Sequence, residues 1–114
     1  MRDSRILVMG LTFKENCPDV RNTKIVDVVR ELEKYGAKVD VYDPWADADD
    51  SEHEYGLRPV RKTKPGTYDA IVMGVSHDEF RKMGVAKVRE LGRKHHVLYD
   101  IKYVFKASEV DGRL

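Results

Sequence analysis

Two rhythms of apolar residues alternate along this chain. "RILVMG" (5–10) is a short β-forming run closed by a glycine, and it predicts a buried strand. From about Lys24 to Tyr35 the rhythm changes. Ile25, Val28, Val29 and Leu32 recur at i, i+3, i+4 and i+7, while Lys24, Asp27, Arg30, Glu31 and Lys34 fall outside that face. That is the period of an amphipathic helix. Asn22 or Thr23 is placed to cap its start, and Gly36 to take the left-handed conformation after its last turn. "AKVDVYD" then alternates as a second strand that stops at Asp43-Pro44. Strand, helix and strand in so compact a span predict a parallel pair with a right-handed crossover.

Residues 45–67 carry no clear period. An acidic run, "DADDSEHE", precedes Arg58, Arg61, Lys62 and Lys64 and the turn Pro65-Gly66. Both runs are expected as solvated faces or loops, with a short strand possible at "LRPV". "YDAIVMGV" (68–75) has the pattern of a central strand. Ser76 and Glu79 have the spacing of a capping box, opening a short helix through "HDEFRKM". Gly84 interrupts it, and "VAKVRELGR" predicts a further amphipathic helix through Val85, Val88 and Leu91. "HVLYDI" (96–101) is a last strand, followed by an irregular tail. Strands alternating with helices predict one α/β domain over residues 1–114: a Rossmann-like three-layer sandwich with an open, mostly parallel sheet. Such sheets bind ligands beyond the carboxyl ends of their strands. The turn after Gly10, the Tyr42-Asp43-Pro44 end and the loop after Asp100 are therefore expected along one edge.

Composition narrows the class. The 114 residues carry 36% charged residues and a net charge of +1. A balance so close to neutral argues against a nucleic-acid partner. No apolar stretch approaches the roughly 20 residues that span a bilayer, so no membrane partner is expected. The start "MRDSRILVMG" lacks a signal-peptide pattern, and Cys17, the one cysteine, allows no intrachain disulfide. A cytoplasmic domain is expected.

The chemistry concentrates in "GLTFKENCPDVRNTK" (10–24). The helix does not follow the first strand immediately, which excludes a tight G-x-G-x-x-G cradle for a dinucleotide. Its cations are side chains instead: Lys14, a compact charge, and Arg21, able to make a planar two-pronged contact to phosphate or carboxylate. Two readings stand. In one, Lys14 and Arg21 face an anionic ligand and Phe13 stacks on its ring. In the other, Phe13 is core and both cations are solvated or paired with Glu15 and Asp19. Asp43, where dinucleotide folds place a ribose-binding acid, is open to a structural or a ligand role. Trp45 reads as a packing anchor and His77 as part of a helix start. His95 and His96 are adjacent, and no spacing reads as a metal site.

"GLTFKENCPDVRNTK", "YGAKVDVYDP", "YDAIVMGVSHDEF" and "YDIKYVF", in this order, resemble the C-terminal UDP-binding domain of the UDP-glucose/GDP-mannose dehydrogenase family. "KENCPDVRNT" and the ending "VDGRL" are most like the bacterial UDP-N-acetylhexosamine 6-dehydrogenases of polysaccharide biosynthesis. The resemblance implies a truncated chain, part of an oxidoreductase that converts a UDP-hexose or UDP-N-acetylhexosamine to its uronic acid in two hydride transfers to NAD. It implies an N-terminal domain that holds NAD, a middle domain that makes the homo-oligomer, and this domain closing over the UDP-sugar. Phe13 and Lys14 match the family's Phe-Lys pair on the UDP-sugar, and Arg21 an arginine that reaches toward NAD. Lys102, in "DIKY", stands where the family carries late arginines; Arg113 is a second candidate for that cation. The family's catalytic cysteine and lysine lie outside this chain. No catalytic residue is therefore expected here, Cys17 is a bystander, and the chain alone is expected to be inactive.

Three other classes remain. A regulatory or interaction module without nucleotide selectivity would account for the alternating charge blocks. A free-standing NAD module lacks its glycines. A phosphoacceptor domain would need acids where the first strand ends in Met9-Gly10.

Overall fold

β1 (Arg5–Met9) and β3 (Tyr68–Met73) occupy the middle of a five-stranded sheet, because their side chains are apolar toward both faces. Leu7 and Met9 face one side, and Ile6 and Val8 the other, as the two-residue period of a strand requires. The structure, a computed structural model, describes residues 3–12, 14–20 and 23–113. The other elements are α1 (Ile25–Lys34), β2 (Lys38–Tyr42), α2 (Ala48–Tyr55), α3 (Asp78–Arg89), β4 (Gly92–Asp100) and β5 (Gly112–Arg113). The strand order is β2-β1-β3-β4-β5 and every pairing among these strands is parallel.

Two cores sandwich the sheet. On one face Leu7, Met9, Ile71, Met73 and Leu98 pack with Phe80 and Val88 of α3 and with Val104. On the other, Ile6, Val8 and Val41 pack with Ile25, Val26 and Val29 of α1. The helix turns slightly from the face expected, burying Val26 while Val28 is half-buried. Thr23 Oγ1 accepts from the Ile25 N–H at 3.2 Å, and Gly36 takes φ +89° after the last turn. Asn22 lies outside the described residues.

Four expectations are corrected. The acidic run is helical: Asp47 caps α2 by accepting from the Asp50 N–H at 3.0 Å, and Gly56 ends it at φ +67°. Only Ser51 of α2 is buried, so no apolar period announced it. "LRPV" is not a strand; a single bond from the Val60 N–H to the Val41 carbonyl attaches it to the edge of the sheet. Ser76 does not cap α3, because the chain stays extended through His77, which is drawn into the interior at the cap position. The tail is not wholly irregular. Asp111 exchanges bonds with Leu98, and Gly112–Arg113 adds to β4 as the fifth strand. The break at Gly84 is as expected, with φ +80° and ψ 159° inside α3. Among the described residues no helix is long and apolar enough to cross a membrane.

Candidate functional site

In the order β2-β1-β3-β4-β5 the connections diverge between β1 and β3, and a crevice opens beyond their carboxyl ends. Glycine makes the approach there possible. A Cβ on Gly10, whose φ is +105°, would lie 2.6 Å from the backbone nitrogen and from Cβ of Val75. Above this contact is an open cleft of about 430 Å³, with Gly74 and Val75 at the end of β3 among its lining residues. The turn after β1 contributes Thr12, Lys14 and Glu15; the start of α1 contributes Thr23, Lys24 and Ile25; Ser76 and Lys102 complete it. Three lysines thus converge with Thr23 and Ser76 where the first turn of a helix adds its own positive end.

The β1 turn is held from beneath. Asp43, at the end of β2, is 6% exposed, and its Oδ2 accepts from the N–H groups of Leu11 at 2.6 Å and Thr12 at 3.0 Å. His77 Nε2 lies 2.9 Å from the same oxygen. The other oxygen, Oδ1, accepts from Trp45 at 2.8 Å and Ala46 at 3.2 Å. Burial by itself would raise the Asp43 pKa. The hydrogen bonds from His77, Leu11 and Thr12 outweigh that and hold it below the ordinary 3.8. With both oxygens engaged inside the protein, Asp43 is structural and does not face a ribose. Trp45 behaves as the expected anchor, stacked on His77 at 6.1 Å and donating from Nε1 to Glu79 at 3.0 Å.

Lys102 reaches the cleft through a second buried acid. Asp100, fully buried, accepts from the N–H groups of Lys102 at 3.2 Å, Val104 at 3.1 Å and Phe105 at 2.8 Å, which folds the loop back over the sheet end. The three stretches expected on one edge are there together, and Lys14 and Lys102 line one cleft. Phe13 and Arg21 lie outside the described residues. Arg113 does not line the cleft; its guanidinium sits 4.0 Å over the Tyr103 ring. Cys17 is in a separate cleft with Asp47, Asp50 and His53. His95 is exposed, and His96 bonds to Arg89 and to the Arg93 carbonyl. Lys24, Thr12, Thr23 and Ser76 were not singled out from sequence as cleft residues; their convergence appears only once the sheet order is known.

Residues 7–107 match the UDP-glucose/GDP-mannose dehydrogenase family, UDP binding domain. The chain belongs to that family. It is 55% identical over 111 residues to a UDP-N-acetyl-D-glucosamine 6-dehydrogenase of Pseudomonas aeruginosa, covering 97% of this chain and 26% of the relative. A Salmonella typhi enzyme of the same name is 53% identical over 111 residues, with the same two coverages. A UDP-glucose dehydrogenase from the archaeon Pyrobaculum islandicum superposes with a TM-score of 0.76 at 25% identity, over 99% of this chain and 25% of that one. The domain therefore spans about a quarter of the length of the relatives it matches. The fold is the Rossmann-like α/β arrangement expected, with a sheet parallel throughout the described strands.

Proposed function

We propose that this domain holds the diphosphate of a UDP-sugar in the cleft beyond β1 and β3. It would do so as one part of an NAD-dependent UDP-sugar 6-dehydrogenase acting in polysaccharide biosynthesis. The observation that carries the reading is the convergence of Lys14, Lys24 and Lys102 with Thr23 and Ser76 at the start of α1. A diphosphate carries several negative oxygens, and ammonium groups, hydroxyls and helix N–H groups are the donors such oxygens take. The volume, about 430 Å³, suits a ligand of nucleotide size. The P. aeruginosa and S. typhi relatives favour a UDP-N-acetylhexosamine as the sugar nucleotide.

The residues present do not fit the pyrophosphate of NAD. Residues 10–24 separate β1 from α1, and Lys14 and Glu15 stand where a tight glycine cradle would be needed. NAD would be held by other parts of the parent enzyme. The interaction-module reading loses part of its motive, since Arg58 of the basic run pairs within the chain, with Asp49 at 2.9 Å and Glu52 at 3.6 Å.

Calorimetric titration with UDP, with UMP and NAD as controls, tests the proposal. Saturable UDP binding is expected with Kd in the range of about 0.01–1 mM, since only one wall of the parent's cleft is present. UMP, lacking the second phosphate, should bind more weakly. Lys14→Ala should cost about 1.5–3 kcal/mol of UDP affinity, the worth of a charge-assisted hydrogen bond. A folded domain that binds none of the three, or that prefers NAD, overturns the proposal.

A further inference from the structure

We infer that His77 is a positioning residue: as the neutral Nε2–H tautomer it ties the turn carrying Lys14 to the end of β2 and the start of α3, and so sets the cationic wall of the cleft. The inference rests on the reading of that cleft as a diphosphate site.

The tautomer follows from the partners. The N–H of Asn16 donates to His77 Nδ1 at 2.9 Å, so Nδ1 carries no proton. Nε2 lies 2.9 Å from Asp43 Oδ2, and an ionised carboxylate only accepts, so the proton is on Nε2. Thr12 Oγ1, 3.2 Å from Nε2, sends its own hydrogen to the Lys14 carbonyl at 3.0 Å. Every polar atom of the ring is therefore committed. The ring cannot turn either: it is fully buried, with Trp45 stacked on one side and the edge of Phe80 at 5.4 Å.

The turn is thus held on both sides of Lys14. Before it, Leu11 and Thr12 are fixed by Asp43, whose Oδ2 is oriented by His77. After it, Asn16 is fixed by Nδ1 in the left-handed conformation, φ +55°, and its Oδ1 accepts from the Asp78 N–H at 3.0 Å. Lys14 itself is exposed and long, and a lysine of that kind gains little affinity unless its backbone is already placed. His77 is fully buried and does not line the cleft, so it acts on a ligand only through the turn.

A double-mutant cycle with Lys14 separates this role from general support of the fold. His77→Asn keeps an acceptor in the place of Nδ1, and His77→Gln keeps a donor in the place of Nε2; each preserves one half of the tie. Both should weaken UDP binding roughly tenfold in the otherwise native domain, one hydrogen bond's worth, and less than about twofold in the Lys14→Ala background. Equal losses in both backgrounds, or no loss in folded variants, overturn the inference. Nitrogen-15 spectra of the wild-type imidazole supply a second readout that needs neither ligand nor mutation. A proton on Nε2, a bare Nδ1 and a slowly exchanging Asn16 amide support the tie; a proton on Nδ1 or a freely exchanging Asn16 amide removes it. Wild-type protein that takes up no UDP would sink the diphosphate reading and the role in binding with it, whatever the spectra show. Wild-type binding with an additive cycle would sink only the role of His77.

Discussion

At the scale of single residues, Asp43 and Lys14 divide the work of the cleft between them. Asp43 is buried and accepts from four backbone N–H groups and His77, whereas Lys14 is exposed and carries its charge to the ligand side. Their substitutions should therefore fail in opposite assays. Asp43→Asn puts an amide nitrogen against N–H donors at one or other position, stranding at least one of them. A loss of about 1–3 kcal/mol for each stranded donor is expected in urea denaturation. Lys14→Ala should move stability by no more than about 0.5 kcal/mol, as an exposed substitution does, while weakening UDP binding as stated above. A stability loss for Lys14→Ala comparable to that of Asp43→Asn would show that the lysine is part of the fold rather than of the site. Asp43 was open between structure and ligand from sequence, because the donors that saturate it include Leu11, Thr12 and His77, more than thirty positions away. No local pattern reports such a partnership. His77 does stand at the start of α3, as its sequence suggested, but the partners in two other elements that draw its ring inward were hidden for the same reason.

Among the elements, those with a period were legible and those held by a few polar bonds were not. β1, α1 and β3 each bury a regular set of apolar side chains, and their positions follow from that set. α2 buries only Ser51, and β5 is two residues long, so neither carries a rhythm. α2 is set by its Asp47 cap, and β5 by Asp111 with the help of Arg89. The grouping of strand ends was legible from alternation alone; Lys14 was legible from the charge of the turn itself, whereas Lys102 was named through the family resemblance, and both line one cleft. Glycines allow a sharper test of what shapes the elements. A Cβ at Gly84 meets nothing within 4 Å, yet its φ of +80° with ψ of 159° is a region open essentially to glycine only. Gly84→Ala should cost about 1–3 kcal/mol from backbone strain alone. At Gly10 the same strain is joined by overlap with the Val75 backbone, so Gly10→Ala should cost more. Measured stabilities in the reverse order would mean that Val75 yields readily to a methyl group at Gly10.

For the molecule as a whole, hydrogen-bonded carboxylates hold together parts that the hydrophobic cores do not reach. Asp43 joins the end of β2 to the β1 turn and to α3, and Asp111 joins β5 to β4. Hydrogen bonds from the Leu98 N–H and then Arg89 lower the pKa of Asp111 as well, although its side chain is 43% exposed. Both groups bind protons less readily folded than unfolded. Their contribution to stability is therefore complete above the ordinary carboxylate value of 3.8, and it is lost as pH falls through the lower folded values. A comparison isolates the Asp43 share. Asp43→Asn has no proton to gain, and a protonated Asp43 resembles the asparagine it is compared with. The stability gap between wild type and Asp43→Asn should stay constant from about pH 7 to about pH 5, then shrink as pH falls below 3.8. Added salt should change that gap little, because Asp43 and its donors are shielded from solvent, whereas the Asp111 contribution should weaken with salt. Urea midpoints measured for both proteins across that range decide it. A gap that persists unchanged into acid would mean that the Asp43 hydrogen bonds do not depend on its charge, and that the β1 turn is held by shape alone.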